Sequence, residues 1–321
     1  MHSNRVFLVR LLFSLYLFSV LSPALSQDSN ILHPIPDIER WLKHDSFDIF
    51  RIRGSRWKDD LTRRVIVRYS DGTPIQVKWK TAAHGGWGEN NEPRYEIAAY
   101  ELQKLFLEPE EFVVPPTSVR CLPLQQYRQI DKNIEPTFKN TSAVFFCLQY
   151  WLEEVGTEKV YDKKRFKKDP VYARHLGNMN ILSYLIDHKD ANIGNFLIST
   201  DPENPRVFAV DNSLAFSSLE SNRGTEWRKI RVKKLPGDTV EKLRSIEKED
   251  LQTTLGVVAQ FEIKEDQPVL VEKSDNLNPK KGVRKSDEII QFGLTTREIS
   301  GVHRRLKALL KRIDSGKIKT F

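Results

Sequence analysis

Residues 185–216 constrain this chain more than any other stretch. They read Leu-Ile-Asp-His-Lys-Asp-Ala-Asn-Ile-Gly-Asn-Phe-Leu-Ile, then a polar turn holding Asp201, Pro202, Glu203, Asn204 and Pro205, then Arg-Val-Phe-Ala-Val-Asp-Asn-Ser-Leu-Ala-Phe. Two short apolar runs joined by a Pro-rich turn read as a β-hairpin. Asp190 and Asn195 precede the first run, and Asp211 follows the second. A hairpin would gather these three side chains at one end. Each taken singly is an ordinary turn residue; the argument rests on the three together.

Their chemistry suits one another. Asn195 and Asp211 offer a neutral and a charged hard oxygen, a pair fitted to Mg or Mn when phosphate oxygens and water complete the shell. Asp190 lies five positions before Asn195, in a loop past a helix end. A carboxylate there can reach a substrate hydroxyl as a general base, although Asp187 competes for the same role. An Asp for the acceptor, an Asn soon after it and a second Asp beyond a strand is the pattern of phosphoryl-transfer sites.

Such a site also needs a cation for the phosphates. Lys78 and Lys80 share one face of a strand, because side chains alternate along it. Glu96, on the helix that follows, is placed to orient one of them. The glycine loop expected before the lysine strand is reduced to Gly54-Ser55, and no Walker A sequence occurs. Neither Gly-x-Ser-x-Gly nor His-Glu-x-x-His is present, so hydrolase-elbow and zinc-protease readings have no foothold.

The surrounding pattern predicts an α+β chain. Residues 31–62 read as a lead-in with a short helix near 38–43. Residues 64–69 and 75–80 alternate around the Asp71-Gly72 turn and form a hairpin. A helix follows over about 93–107, started by Pro93, then strands near 113–121 and 143–150. A second helix spans about 171–186. The remainder reads as mostly helical, with one strand-like run at 257–263 and a basic amphipathic helix from 295 to about 313. A β-rich first part (27–152) with one main helix thus precedes a mostly helical second part (153–321). The carboxylate stretch sits just past their junction, and a cleft between two such parts is a favoured ligand site.

With 321 residues, 39% hydrophobic and 29% charged, the chain can bury a substantial core. Its net charge of +8 is widely spread, which suits an anionic partner such as ATP or an acidic protein, and equally a plain soluble surface. No zinc spacing, helix-turn-helix or RNA-binding aromatic motif points to nucleic acid. At the N-terminus, Arg5 and Arg10 flank or interrupt an apolar run over 11–21, followed by Pro23-Ala24-Leu25-Ser26. This predicts a signal peptide over 1–26 with cleavage after Ser26, in preference to an uncleaved membrane anchor because Arg10 leaves the apolar stretch short for a span, and hence an exported protein with no later membrane span. Cys121 and Cys147 lie in strand-like runs, so a disulfide and two buried free thiols both fit. Asn140-Thr141-Ser142 is a glycosylation sequon that has meaning only in a eukaryotic source.

On these residues the chain resembles the secretory-pathway kinases, the Golgi casein kinase and Four-jointed group with their bacterial relatives. The likeness lies in Glu96-Ile97-Ala98-Ala99-Tyr100, Leu105 and Val113-Val114-Pro115-Pro116-Thr117. Asp190 to Asn195 is similar to the Asp-Arg-His-x-x-Asn catalytic loop that the bacterial relatives share with phosphatidylinositol 3- and 4-kinases. Asp211-Asn212-Ser213-Leu214-Ala215-Phe216 resembles their Asp-Asn-Gly-x-Ala-Phe metal motif. The resemblance covers about 75–216 and implies a two-lobed protein-kinase-like fold using ATP with Mg or Mn. It implies Lys80 as the phosphate-contacting lysine with Lys78 the alternative, Glu96 as its partner, Asp190 as base, and Asn195 and Asp211 as metal ligands. It implies a hinge for adenine at Gln149-Tyr150-Trp151. The acceptor would be a hydroxyl on a protein, a sugar or a lipid headgroup. Two departures stand out: the Arg-His of the loop is Ala191-Asn192, and the motif's glycine is Ser213. They motivate a second reading, an exported pseudokinase acting as a nucleotide-binding or scaffolding module.

Overall fold

A computed structural model describes residues 28–54, 62–88, 91–192, 194–216 and 225–321. The signal segment expected over 1–26 and Ser55 of the reduced glycine loop lie outside the described residues. The chain opens with helix α1 (Ile35–Lys43) and strand β1 (Phe47–Arg53). Strands β2 (Thr62–Tyr69) and β3 (Pro74–Thr81) form the expected antiparallel hairpin, turned at Gly72 with φ 86°. Helix α2 (Pro93–Gln103), strand β4 (Thr117–Pro123), a single helical turn α3 (Leu124–Tyr127) and strand β5 (Ala143–Tyr150) follow. The five strands form one sheet in the order β1-β2-β3-β5-β4.

Alternation decides which side of this sheet each residue faces. Val65, Val67, Val77, Trp79 and Phe146 point to one side and pack with Trp41 of α1; Trp79 and Phe146 stack with centroids 3.8 Å apart. Phe145 points to the other side, into the larger core that runs through α2. Strand β5 is buried along its whole length because it lies between β3 and β4 with both faces covered. Ten of the eleven residues of α2 are buried. A helix enclosed on all sides holds its carboxylate rigidly, and that fixes Glu96.

The second part contains β6 (Val155–Gly156), α4 (Lys163–Lys168) and α5 (Pro170–Leu185), the last started by Asp169, whose side chain accepts from Tyr172 N–H. Strands β7 (Phe196–Ser199) and β8 (Val207–Ala209) form the predicted hairpin. Then come β9 (Lys234–Leu235), α6 (Gly237–Ser245), α7 (Lys248–Leu255), β10 (Ala259–Lys264), β11 (Gln267–Val271), β12 (Val283–Lys285) and β13 (Ile289–Phe292). Helix α8 (Thr296–Asp314), opened by a Thr295/Glu298 capping box, and β14 (Lys319–Thr320) end the chain.

Four expectations need correction. The lead-in holds a strand, β1, besides the short helix. The first long helix ends at Gln103, after which the chain runs through turns, and the Gln103 side chain accepts from the Val113 and Val114 N–H groups and donates to the Val114 carbonyl. Those backbone groups are therefore taken, and the strand starts at Thr117 rather than 113. Finally, the C-terminal part is not helical apart from one strand: β11-β10-β13-β12 is a four-stranded antiparallel sheet.

Candidate active site

The β7–β8 hairpin does what its sequence predicts. Val210 N–H donates to the Asn195 carbonyl across its open end (2.9 Å). Two further backbone bonds, Lys189 N–H to Leu214 O (2.7 Å) and Phe216 N–H to Ile186 O (2.6 Å), tie the loop before β7 to the segment after β8. Asp190, Asn195 and Asp211 thus sit on two segments laced together. Asn195 Nδ2 donates to the Asp190 carbonyl (2.8 Å) and to its Oδ2 (3.1 Å). Asp190 is buried, and its carboxylate is oriented by the very residue the sequence pairs with it.

Asp211 has φ 57°, in the left-handed region that Asp tolerates better than most residues. Its Oδ1 accepts from Lys80 Nζ at 2.8 Å and from Lys78 Nζ at 3.1 Å. Period two puts both lysines on one face of β3, and both reach the site. Glu96, 1% exposed, completes the cluster. Its Oε1 lies 3.3 Å from Lys78 and 3.8 Å from Lys80. Its Oε2 accepts the Asn212 backbone N–H (3.0 Å), and Oε1 accepts the Ser213 hydroxyl (2.9 Å). Two ammoniums thus face two carboxylates, a balanced count that makes burying Glu96 and Lys80 tolerable.

The electrostatics follow. Burial opposes the charge on Asp211, but Lys78 and then Lys80 outweigh it and hold its carboxyl far below the usual carboxylate range. Burial likewise opposes the Lys78 charge, and Asp211 and Glu96 more than restore it, so Lys78 titrates above an ordinary lysine. Sequence reasoning missed two participants. Ser213, which stands where the resembled motif has glycine, accepts from Lys80 Nζ at 2.9 Å while donating to Glu96. His188, kept neutral by burial, donates Nε2–H to the Asp211 carbonyl (3.2 Å) and braces its unusual backbone. A hydroxyl in place of the motif's glycine was a visible signal for Ser213; nothing in the sequence marked His188.

Among the described residues no group of three or more His, Cys, Asp or Glu side chains could hold a metal. Asn195 and Asp211 nevertheless fit a hard cation that takes its remaining ligands from phosphate and water. Asn195 engages Asp190 through its amide nitrogen, and Asp211 engages the lysines through Oδ1. The oxygens those contacts leave are Asn195 Oδ1 and Asp211 Oδ2. Of the expected hinge residues, Gln149 and Tyr150 are buried, and Trp151 N–H donates to the Gln76 carbonyl (2.9 Å) as the chain leaves the sheet. Cys121 and Cys147 are free thiols. Val119 pairs with Cys147 and Cys121 with Phe145, so the two cysteines are diagonal neighbours, at a spacing too wide for a disulfide.

No protein-family model and no curated protein matches the chain. Among solved structures it is similar to the crystal structure of the Golgi casein kinase, with a TM-score of 0.51 and 13% identity over 90% of this chain and 77% of that one. The likeness to a MAP kinase from Leishmania major is far looser, with a TM-score of 0.30 and 12% identity over 56% of this chain and 50% of that one. The five-stranded sheet with its single enclosed helix, joined to a second part that bears the carboxylate hairpin, is a two-lobed α+β kinase-like fold.

Proposed function

We propose that the protein is an exported kinase-like phosphotransferase that moves the γ-phosphoryl group of ATP to a hydroxyl. The observation that supports this reading best is Asp211, gripped by Lys78 and Lys80 while its segment is laced to the Asp190–Asn195 loop. In this reading the acceptor oxygen attacks the γ-phosphorus as the bond to the β–γ bridging oxygen breaks. Asp190 takes the hydroxyl proton, and ADP leaves. Lys80 and Lys78, oriented by Glu96, stabilise the phosphate charge; Ser213 fixes Lys80 against Glu96. Asn195 and Asp211 would hold a Mg or Mn ion, which would supply further charge neutralisation. Rate enhancement then comes from positioning and preorganised charge.

Export is supported by the N-terminal sequence alone. No helix among the described residues is long and apolar enough to cross a membrane. The acceptor, an acidic protein or another alcohol, is left to the basic surface and is not selected by the site.

A second reading, a nucleotide-binding pseudokinase, has its own observation. Ala191 is fully buried, and Asn192 spends its side chain inside the loop, donating to the Asp190 carbonyl (2.9 Å) and accepting from Gly194 N–H (2.9 Å). Neither residue is left to contact an acceptor. Labelled phosphate transfer and ATP turnover by the purified mature chain with Mg or Mn separate the two. Asp190→Asn should lower the rate at least 100-fold; equal rates for wild type and variant refute the enzyme reading. Nucleotide with metal at 100 times its Kd should stabilise the wild type by about 2.7 kcal/mol, and Asp211→Asn should abolish that gain in either reading.

A further inference from the structure

The face of the five-stranded sheet that carries Lys78 and Lys80 also gathers guanidinium groups that, among the described residues, have no acid beside them. Arg64 of β2 lies directly opposite Lys78 of β3 and, on its other side, directly opposite Arg53 of β1. Three cations thus stand in one row across three strands. Arg51 is set against Ile66, which is set against Gln76, one step along the same face. Like charges directly opposite on a ladder are destabilising. Lys78 is answered by Glu96 and Asp211. Among the described residues, Arg51, Arg53 and Arg64 meet no carboxylate at ion-pair distance; Arg64 lies instead over the Trp151 ring, 4.5 Å from its centroid.

The backbone is bent to produce this row. The β1–β2 register shifts between Ile49 and Arg51. Ile49 pairs with Val67 and faces the core, and an unbroken strand would put Arg51 and Arg53 on that same side. The bulge re-aims both arginines to the face of Arg64, Gln76 and Lys78. Gln76 adds an independent sign. Its Nε2 is a buried donor with no acceptor among the described residues, an arrangement that costs free energy unless something accepts from it. Between these groups lies a cavity of about 90 Å³, lined by Arg51, Arg53, Arg64, Ile66 and Gln76. That is room for about three waters or one tetrahedral oxyanion, not for a nucleobase.

We propose that this cavity binds a tetrahedral oxyanion, a phosphoryl or sulfuryl group carried by a ligand that lies along the sheet next to Lys78. The guanidiniums supply the charge, and Gln76 donates its unmatched N–H. The site extends the phosphotransfer reading but requires no turnover, so it stands or falls on binding alone. Two ligands could bring such a group: the polyphosphate tail of the nucleotide, or an acceptor that is itself anionic.

The test is titration calorimetry of the purified mature chain with inorganic tripolyphosphate without metal, and separately with ATP and Mg. Wild type should bind tripolyphosphate saturably. Arg53→Gln/Arg64→Gln should weaken it at least tenfold, while Arg304→Gln, exposed on α8, should leave it within twofold. If ATP with Mg weakens by the same factor, the nucleotide tail is the source. If it does not, and tripolyphosphate still binds in saturating ATP and Mg, the group belongs to the acceptor. Arg53→Gln alone removes one repulsive pair and should raise the Tm of the ligand-free protein by about 1–3 °C. Absence of tripolyphosphate binding, equal affinity in the double variant, or a lower Tm for Arg53→Gln would overturn the proposal.

Discussion

The charge balance around Glu96 makes a prediction that depends on no activity. Lys78 and Lys80 face Glu96 and Asp211 at 2.8 to 3.8 Å, with Glu96 1% exposed. Glu96→Gln keeps the size of the side chain and an acceptor for Asn212 N–H, but leaves two ammoniums against one carboxylate. Removing one partner of a buried pair costs about 3–5 kcal/mol. The lower end applies here because the Asp211 side chain is 29% exposed and still answers both lysines. Lys78→Met leaves the opposite imbalance, two carboxylates on Lys80. The double variant Glu96→Gln/Lys78→Met restores neutrality with one ammonium and one carboxylate. Its loss of stability should therefore fall short of the sum of the singles by about 1–3 kcal/mol. Urea unfolding of the four proteins, with m-values compared to exclude changes in the unfolded state, measures that coupling. Singles that add to within 0.5 kcal/mol would mean that the lysines are held by solvent and backbone rather than by this balance.

Two further outcomes follow from buried titratable groups. Burial, then Arg206 and Arg174, push His175 down to about 3; the unfolded chain takes up its proton below 6.5 and the folded chain does not, so stability should fall with pH by about 1.4 kcal/mol per unit from 6.5 downward. Unfolding free energies at pH 7 and 5 should show that slope reduced in His175→Gln, and an unchanged slope would refute the assignment. Burial raises the Cys147 thiol far above the usual range and Cys121 to about 12, so the native protein at pH 8 should react with a disulfide reagent at buried Cys147 only as fast as it opens, and at half-buried Cys121 far more slowly than a free thiol does; rapid labelling of either thiol in the native state would contradict this.

What the sequence discloses here follows where burial and period agree. The hairpin of β2 and β3, the fully buried β5, helix α5 and the β7–β8 hairpin all carry apolar runs whose period matches their environment, and each stands within a few residues of its expected place. Strand β10 was legible for the same reason. The rest of its sheet was not: edge strand β12 is three residues long, Val283-Arg284-Lys285, and pairs with β13 alone, so too short a run carries the pattern. The choice between Lys78 and Lys80 failed differently. Period two can only say that they share a face; both reach Asp211, and Ser213 joins Lys80 to Glu96 where the resembled motif would have no side chain.

Strand β1 marks the limit most clearly. Phe47-Asp48-Ile49-Phe50-Arg51-Ile52-Arg53 alternates, yet read at strict period two it places Ile49, Arg51 and Arg53 on one side. No half-buried strand accepts that set, because the side that buries Ile49 would have to bury two guanidiniums without partners. The fold resolves the conflict with one bulge, which leaves Phe50 61% exposed, covered in part by Arg68 at 4.4 Å from its ring centroid. After the bulge Ile52 returns to the side of Val65, and the arginines turn to the face of Lys78. The irregularity that hides the strand from periodic reading is thus also what carries its charge to the site.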